Sequence, residues 1–409
     1  MYESILKFMA LSAIEFILIS LSLIILIVCL FFLIECIAAV LIKPFPVYEG
    51  KWQNTKITVL VPAHNEEISI ASTLEQITPA LKQQDDLVVV ADNCSDRTAS
   101  IARKMGATVI ERYDSINKGK GYALDYGLRF IEAEPPDVVL MIDADCNVDK
   151  DAIEKLTECA CATNCPVQAT YLMVRPKNSH TARDFVSEFA AIVKNVVRPL
   201  GLKHLGIPSP LLGTGMAFPW SVIRSVNVAS GNLLEDIKLG LDLNIVGHKS
   251  IYYPQARVSA YFPSSLQAAK SQKTRWIHGH LGLIKAYVPM LFKQAFLQNR
   301  FDLLFSILDL CIPPLTLLVM VWSILLICSL IAGILQISWI PTIISFTAGL
   351  CLITALTVAW AKFAKSIPLS KLLTVPLYIF WKIPVYVKFI IAPQKVWVRT
   401  ERDKISNGS

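Results

Sequence analysis

Two carboxylates, separated by one residue, follow an apolar stretch in the first half of the chain. Asp143 and Asp145 form the sequence DAD directly after VVLMI (138–142). Two hard oxygen ligands at the end of a rigid strand suit Mg²⁺ or Mn²⁺, with substrate phosphates completing an octahedral coordination. The alternative is a loop of solvated acids that caps the following helix. The position after a predicted buried strand favours a site for a divalent cation.

Two further charged groups have residue types that suit work on a phosphorylated substrate. The stretch KGKG provides Lys118 and Lys120, and its glycines let the backbone approach a pyrophosphate closely, although most such runs are exposed turns. Glu235 and Asp236 open an amphipathic helix, where the helix dipole favours acids in any case. Close to a metal-bound phosphate, a carboxylate at this place could act as a general base for a hydroxyl proton.

The stretch QKTRWIHGH (272–280) combines a fixed cation with an indole and two imidazoles. Helical spacing brings Gln272, Arg275 and Trp276 close to one face. Arg275 offers a permanently charged fork for phosphate, and Trp276 offers an apolar plate for a sugar ring. Alone, such a pair is more typical of an anchor at the membrane surface, but the upstream acids favour a binding site. His278 could line the same cleft; no metal-ligand partners accompany it or His280.

The elements that would position these groups alternate between strands and helices. Short apolar runs rich in β-branched residues occur at 57–63, 87–92, 107–112 and 137–143, and amphipathic stretches with helical spacing lie between them. This alternation predicts a largely parallel sheet that is covered by helices on both faces. In such sheets, ligands bind beyond the carboxyl ends of the strands.

Polar residues follow the predicted strands at this edge. His64 and Glu66 follow the first strand, and Asp92 ends the second, where it could accept hydrogen bonds from a nucleobase or ribose. The stretch GTG (213–215) suits a backbone that approaches a flat ligand, or an ordinary glycine turn. The chain contains neither GxGxxG nor GxxxxGK[ST], so a dinucleotide fold and a P-loop are not supported. The edge nevertheless favours a nucleotide site.

Long apolar runs place part of the chain in lipid. Of its 409 residues, 54% are hydrophobic and 17% charged. The runs at 11–42, 310–335 and 342–361 are each long enough to span a bilayer, and the first is interpreted as an anchor rather than a cleaved signal peptide. The segment 372–392 contains two lysines and two prolines, which suits an interfacial or re-entrant segment at least as well as a span.

Charge distribution predicts the orientation and the partners. Basic residues follow the first run (Lys43, Lys51, Lys56) and the third (Lys362, Lys365, Lys371), whereas the loop 336–341 has no charge, so the middle region and the C-terminal tail are predicted to face the cytoplasm. A net charge of +7 fits contact with an anionic lipid bilayer. No stripe of interleaved basic and aromatic residues indicates nucleic acid. Ten scattered cysteines, including CACATNC (159–165), are typical of reduced, packed thiols.

The ordered stretches PAHNEE, ADN, KGKGYAL, DAD, LED and QKTRW together resemble the family-2 glycosyltransferases with a GT-A fold. The similarity is to the membrane-embedded group that includes cellulose, hyaluronan and poly-N-acetylglucosamine synthases, and it covers residues 55–290 plus the flanking helices. It implies an α/β, Rossmann-like and mostly parallel cytosolic domain combined with α-helical transmembrane segments. The implied organisation is a transmembrane helix and linker at 1–50, a GT-A domain at 51–290, and transmembrane or interfacial helices with a basic tail at 291–409.

The resemblance also implies roles for individual residues. The nucleotide-sugar donor would be bound by Pro62, His64, Glu66, Asp92, Lys118, Lys120, Asp143, Gln272, Arg275 and Trp276. Asp143 and Asp145 would hold Mg²⁺ or Mn²⁺, with Asp145 the more direct ligand, and Asp236 would be the base beside Glu235. We assign acceptor contacts to Gly213, Thr214, Gly215, Trp276 and His278. Two departures are LED in place of TED and DNC in place of a DGS-like turn, and the second leaves the nucleotide preference open.

Three classes of function compete on this basis. The first is an inverting, metal-dependent hexosyltransferase that uses a UDP-sugar to build a β-linked exopolysaccharide processively, as a multi-pass protein of the bacterial inner membrane that works with export partners. The second adds one sugar to a lipid or lipid-linked acceptor, which the small number of clear spans favours. The third is an inactive membrane scaffold, which the intact acidic motifs disfavour. The sequence does not identify the sugar.

Overall fold

The computed structural model describes residues 2–41, 45–175, 181–263 and 265–394. It begins with helix α1 (Tyr2–Val40), which contains the first predicted apolar run. Lys43 and the basic tail beyond residue 394, on which part of the predicted orientation rests, lie outside the described residues. All ten cysteines carry free thiols.

One eight-stranded sheet forms the centre of the domain, in the order β3-β2-β1-β4-β7-β6-β8-β5. The strands are β1 (Ile57–Ala63), β2 (Asp86–Asp92), β3 (Thr108–Arg112), β4 (Val138–Met141), β5 (Asn147–Val148), β6 (Val167–Val174), β7 (Met216–Pro219) and β8 (Ile251–Tyr261). The first four, at the predicted positions, are parallel, whereas β7 is antiparallel to both β4 and β6. Strand β8 is parallel to β6 and antiparallel to β5. The predicted α/β class is confirmed, and the sheet is mixed beyond β4.

Helices cover both faces of the parallel part, because alternate residues of a strand point to opposite faces. Val59 and Val61 of β1 pack in one core with helices α2 (Ile70–Ile77), α3 (Thr98–Lys104) and α5 (Ala152–Thr163). Leu60 packs in the opposite core with α4 (Lys120–Ile131) and α9 (Glu235–Ile245). The hydrophobic pattern of β1 therefore fixes the register that carries the strand ends to one edge.

The second half of the chain is mainly helical. After β6 come α6 (Ala182–Ile192), a π-helical turn (Val193–Val197), α7 (Arg198–Leu205), α8 (Trp220–Ile223) and, beyond the sheet, α10 (Leu266–Leu297), α11 (Asp302–Cys311), α12 (Leu315–Ile334), α13 (Ile340–Phe363), α14 (Leu369–Leu372) and α15 (Val375–Ile391). Among the described residues, three helices are long and apolar enough to cross a membrane, at Met9–Val40, Leu315–Ile334 and Ile340–Phe363. Helix α15, in the ambiguous segment 372–392, is not one of them. The boundaries predicted at 50/51 and 290/291 stay predictions, and α10 runs through the second without a break.

A buried charge cluster joins the catalytic region to α1. Arg198, the first residue of α7, donates from Nε to Glu35 Oε2 (2.9 Å) and from Nη2 to Asp309 Oδ1 (2.6 Å). Glu35 lies within the first candidate span and is fully buried. A methyl group at Gly201 would collide with the backbone carbonyl of Glu35, so α7 and α1 are in direct backbone contact.

Candidate active site

The metal-ligating candidates lie just beyond the end of β4. Ligand atoms of Asp143, Asp145 and Cys146 all lie within 4.8 Å of one another. Thr214 Oγ1 accepts a hydrogen bond from Asp143 N (3.0 Å), which fixes the backbone at this point. Burial raises the pKa of Cys146 well above its ordinary range, so its thiol stays protonated and the carboxylates are the better ligands for a hard cation.

Lys120, at the start of α4, connects this acidic pair to the candidate base. Its ammonium group forms an ion pair with Asp143, donates to the carbonyl of Gly213, and lies 4.0 Å from Glu235 Oε1. Burial alone would lower the pKa of Lys120, but the carboxylates of Asp143 and Glu235 outweigh it and raise that pKa, so the side chain is a cation. A Cβ on the neighbouring Gly121 would lie 2.5 Å from the backbone oxygen of Ser230, which explains the second glycine of KGKG.

Glu235 and Asp236 occupy the first turn of α9, as the amphipathic pattern predicts. Burial, and then the charge of Asp236, raise the pKa of Glu235 to about 7. Asp236 Oδ1 accepts from Ile237 N (2.8 Å), and Oδ2 faces Gly213, where an added Cβ would lie 3.1 Å away. Gly213 has a φ of +94°, a backbone conformation that favours glycine. The loop before β7 thus lies directly against the candidate base.

The nucleotide candidates lie at the carboxyl ends of β1 and β2. His64 Nδ1 donates to the carbonyl of Asp92 (2.6 Å), while Pro62 is half-buried within β1. Glu66 donates from its backbone N to Thr98 Oγ1 (2.7 Å), and its carboxylate accepts from the hydroxyl of Ser69 (2.8 Å). These contacts order the loop that follows β1.

A buried arginine that the sequence analysis missed holds Asp92. Arg112 Nη1 donates to Asp92 Oδ1 (2.7 Å), and its Nη2 donates to Asp114 (2.9 Å) and to the carbonyl of Asn117 (2.7 Å). Burial raises the pKa of Asp92 even though Arg112 opposes the shift. Arg112 ends the third predicted strand, so its position at the sheet edge was the available signal.

Gln272, Arg275 and Trp276 lie on α10, close to the acids of α9. The charge of Arg275 opposes the rise in the pKa of Glu235, and Trp276 contributes to the same hydrophobic cluster as Leu234. Gln272 Oε1 and Arg275 Nε are buried without a hydrogen-bond partner among the described residues. Because such a group costs about 1–3 kcal/mol, an acceptor and a donor left open here indicate a polar ligand.

Several predicted site residues point elsewhere. Lys118 is exposed, and Thr214 and Gly215 are buried beneath the strand end rather than open to a ligand. His278 is buried, with Nδ1 accepting from Gln394 N (3.0 Å) and Nε2 donating to the carbonyl of Val385 (3.0 Å), so it fastens the C-terminal helix. Its predicted acceptor contact stays a prediction and gains no support from this geometry.

A cavity of about 170 Å³ connects the candidate base to the membrane helices. On a scale where one water needs about 10–15 Å³, it holds about a dozen waters. Asp236 and Trp276 line it together with Phe32, Leu315 and Lys382. His280, rather than His278, lines this cavity; its Nε2 donates to the carbonyl of Leu310 (3.0 Å), and burial, then Lys194 and Arg198, lower its pKa to about 3.

The mixed α/β sheet, with paired acids at a strand end, is a GT-A fold. Residues 54–279, more than half of the chain, match the family described as "Glycosyltransferase like family 2", and the protein belongs to that family.

Relatives and a solved structure agree with this assignment. The chain is 26% identical to "Probable glycosyltransferase YdaM" of Bacillus subtilis (strain 168), over 62% of this chain and 63% of that protein. It is also 26% identical to "Poly-beta-1,6-N-acetyl-D-glucosamine synthase" of Staphylococcus aureus (strain COL), over 54% of each chain. The chain thus spans between half and two thirds of the length of these curated relatives. The mannosyltransferase PcManGT of Pyrobaculum calidifontis, solved with GDP-Man and Mn²⁺, shares the fold with a TM-score of 0.52 at 17% identity, covering 85% of this chain and 99% of that one.

Proposed function

We propose that the protein transfers a sugar, with inversion, from a nucleotide-diphospho-sugar to a hydroxyl group of an acceptor in the membrane-facing cavity. The observation that carries this proposal is the shared cavity of Asp236 and Trp276, which brings a carboxylate base and a sugar-stacking indole to one space. Lys120 links this space to the acids beyond β4.

The proposed reaction is a single displacement. The acceptor oxygen attacks the anomeric carbon of the donor while Asp236 takes the hydroxyl proton. The bond between that carbon and the diphosphate oxygen breaks, and the nucleoside diphosphate leaves with the electron pair. Because one displacement inverts the centre, an α-linked donor gives a β-glycoside.

Asp143 and Asp145 would hold Mg²⁺ or Mn²⁺, since two carboxylates beside a buried thiol form a hard-oxygen site. Bound there, the cation would supply neutralising charge for the leaving diphosphate. The Mn²⁺ bound in the Pyrobaculum mannosyltransferase structure supports this choice. Lys120, the present ion-pair partner of Asp143, would then be available to the diphosphate.

Arg275 and Gln272 would complete the site around the sugar and the diphosphate. The open Nε–H of Arg275 is a charged donor for a phosphate oxygen, and the open Oε1 of Gln272 is an acceptor for a sugar hydroxyl. At the edge of β1 and β2, the loop held by Asp92 and His64 would receive the nucleoside, a uridine in our proposal.

For the product, we infer a β-linked glycan of the exopolysaccharide type, made processively. The relative named poly-β-1,6-N-acetyl-D-glucosamine synthase and the QxxRW motif support this inference. The three candidate spans support a multi-pass protein of the bacterial inner membrane, with the catalytic domain in the cytoplasm and export partners for a polymer. A second candidate, a single addition to a lipid-linked acceptor, is favoured by the lysines that line the cavity, Lys194, Lys273 and Lys382.

The test is turnover of labelled UDP-N-acetylglucosamine, UDP-glucose and GDP-mannose by the purified chain in nanodiscs, with the products resolved by length. Asp236→Asn is expected to lower transfer about 10²–10⁴-fold while donor binding persists. Asp151→Asn, which alters an exposed acid paired with Lys155, is the control and should leave transfer unchanged. Chelation should abolish turnover, and Mn²⁺ or Mg²⁺ should restore it.

Each part of the proposal has a contradicting result. Full transfer activity in Asp236→Asn would contradict the assignment of Asp236 as the base. Turnover after complete chelation would contradict the requirement for a metal ion. Products that carry a single sugar would exclude the processive synthase and leave the second candidate.

A further inference from the structure

Two buried lysines line the same cavity as Asp236. Lys273 of α10 and Lys382 of α15 are each 8% exposed, and both line the cavity together with Tyr378. Lys273 Nζ donates to the hydroxyls of Ser187 (2.7 Å) and Tyr378 (2.9 Å). Lys382 Nζ also lies 4.9 Å from the centre of the Tyr378 ring, so the two lysines meet at this tyrosine in the cavity that the candidate base lines.

Lys382 lies where the cavity reaches the candidate spans. Its Nζ donates to Thr316 Oγ1 (3.0 Å), and Thr316 is the second residue of α12. Among the described residues, no carboxylate lies within ion-pair distance of Lys382. Burying a cation without a counter-charge is costly, so an anion in this space would stabilise the arrangement.

Burial lowers the pKa of both lysines, although Asp184 opposes the shift at Lys273. Burial, and then Arg183, lower the pKa of Lys273 to about 8. Burial, and then Lys273, lower the pKa of Lys382 to about 7. The two ammonium groups repel each other in a poorly solvated space, and a bound anion would raise both pKa values.

A third lysine lines the same cavity beside Trp276. Lys194 belongs to the π-helical turn after α6, an element that occurs frequently at functional sites. Its ammonium group lies 5.6 Å from the centre of the Trp276 ring and lines the same cavity. The positive lining thus continues from Lys382 to the indole.

Apolar residues at or beside the candidate spans also line this cavity. Phe32 belongs to the first candidate span, Leu315 opens the second, and Ile312 precedes it. A neutral glycan needs neither buried cations nor hydrocarbon walls, whereas a lipid with a phosphate group next to its chain needs both.

We propose that the space between Lys273, Lys382 and Tyr378 binds the phosphate group of an amphipathic acceptor. Its hydrocarbon chain lies against Phe32 and Leu315, and its terminal hydroxyl reaches Asp236. This inference rests on the proposed transfer reaction in the form of its second candidate, the addition to a lipid acceptor, because it assigns the acceptor class of the same site. The acceptor is a lipid in which a phosphate separates the chain from a hydroxylated headgroup.

The test titrates phosphatidylglycerol into the purified full chain in a neutral detergent and follows bound lipid by native mass spectrometry. Lys382→Met is expected to weaken lipid binding about tenfold or more, because one hydrogen bond to a charged group is lost. Lys382→Arg keeps the charge and should restore binding. Lys388→Met, an exposed lysine of the same helix, is the matched control and should bind as the wild type does. Diacylglycerol, which has the same chains and no phosphate, should bind about tenfold more weakly than phosphatidylglycerol does.

Several outcomes would overturn the inference. Equal binding of phosphatidylglycerol and diacylglycerol would show that the phosphate group is not recognised. Equal affinity for inorganic phosphate and phosphatidylglycerol would show that the lipid chains are not recognised. Displacement of the lipid by a chito-oligosaccharide whose binding ignores Lys382 would assign the space to a glycan. Binding of the nucleotide-sugar donor is measured on the same samples. If the donor binds but lipid binding does not depend on Lys382, only this inference is wrong. If the donor does not bind at all, the proposed function is wrong.

Discussion

The buried charge cluster at Arg198 gives the sharpest test of how the glycosyltransferase domain is held to α1, the first candidate span. Arg198→Met removes the only guanidinium that contacts Glu35 and Asp309 among the described residues, at 2.9 and 2.6 Å. Glu35 has no exposed surface, so its carboxylate would remain in an apolar environment. Breaking a buried pair in this way costs about 3–5 kcal/mol, a large part of the roughly 5–15 kcal/mol that stabilises a typical domain.

The assay is thermal unfolding in detergent micelles, followed by tryptophan fluorescence. Arg97→Met is the matched control, because its partner Glu67 lies at a similar distance (3.1 Å) but the arginine side chain is 79% exposed, so about 0–1 kcal/mol is expected. Arg198→Met should unfold well below this control. Adding Glu35→Gln and Asp309→Asn to Arg198→Met should recover most of the loss. An Arg198→Met protein that unfolds with the Arg97→Met control would refute the reasoning from buried charge.

Three further predictions concern the acids of the site. Gly213→Ala places a methyl group against the carboxylate of the proposed base and should lower transfer in the nanodisc assay, whereas Gly206→Ala, with a similar positive φ (+74°) but open space, should lose stability only. Because the folded pKa of Glu235, about 7, lies above its ordinary 4.5, its contribution to stability is complete below pH 4.5 and is lost as the pH rises to about 7. Glu235→Gln should remove this pH dependence, so the unfolding temperature of the variant should rise relative to that of the wild type between pH 4.5 and 7. A difference in unfolding temperature that does not change with pH would contradict the raised pKa. Asp145→Asn should weaken Mn²⁺ binding, measured by calorimetry, by at least about tenfold. Mutating a residue that only hydrogen-bonds to a metal ligand already costs about this much affinity. Asp149 is an exposed acid just beyond β5, and Asp149→Asn should bind Mn²⁺ normally; equal losses in both variants would argue against a site at the DAD motif.

The parallel half of the sheet could be predicted from the sequence because local patterns determine it. The first predicted strand coincides with β1 (Ile57–Ala63), and the alternation of Val59, Leu60 and Val61 between two cores follows from period-two geometry. The acids of DAD and LED could be assigned to a strand end and a helix start for the same reason.

The antiparallel half and the cation lining could not be predicted in the same way. Strand β7 has only four residues, and its pairing with β4 depends on a connection of more than seventy residues that no local pattern specifies. The ion pair of Lys120 with Asp143, and the meeting of Lys273 with Tyr378, join residues far apart in sequence. Lys382 was visible as a charge within an apolar run, but which space it faces depends on tertiary packing.

The close contact between α7 and α1 bears on which acceptors can react. With no room for a methyl group between Gly201 and the backbone of Glu35, the catalytic domain cannot tilt or slide on the first helix without losing that contact. If α1 crosses the bilayer as proposed, the base is held at a constant height above the lipid. An acceptor hydroxyl on a shorter or longer headgroup would then stop below or above the base, so the protein would select its acceptors by their reach from the membrane as well as by their chemistry.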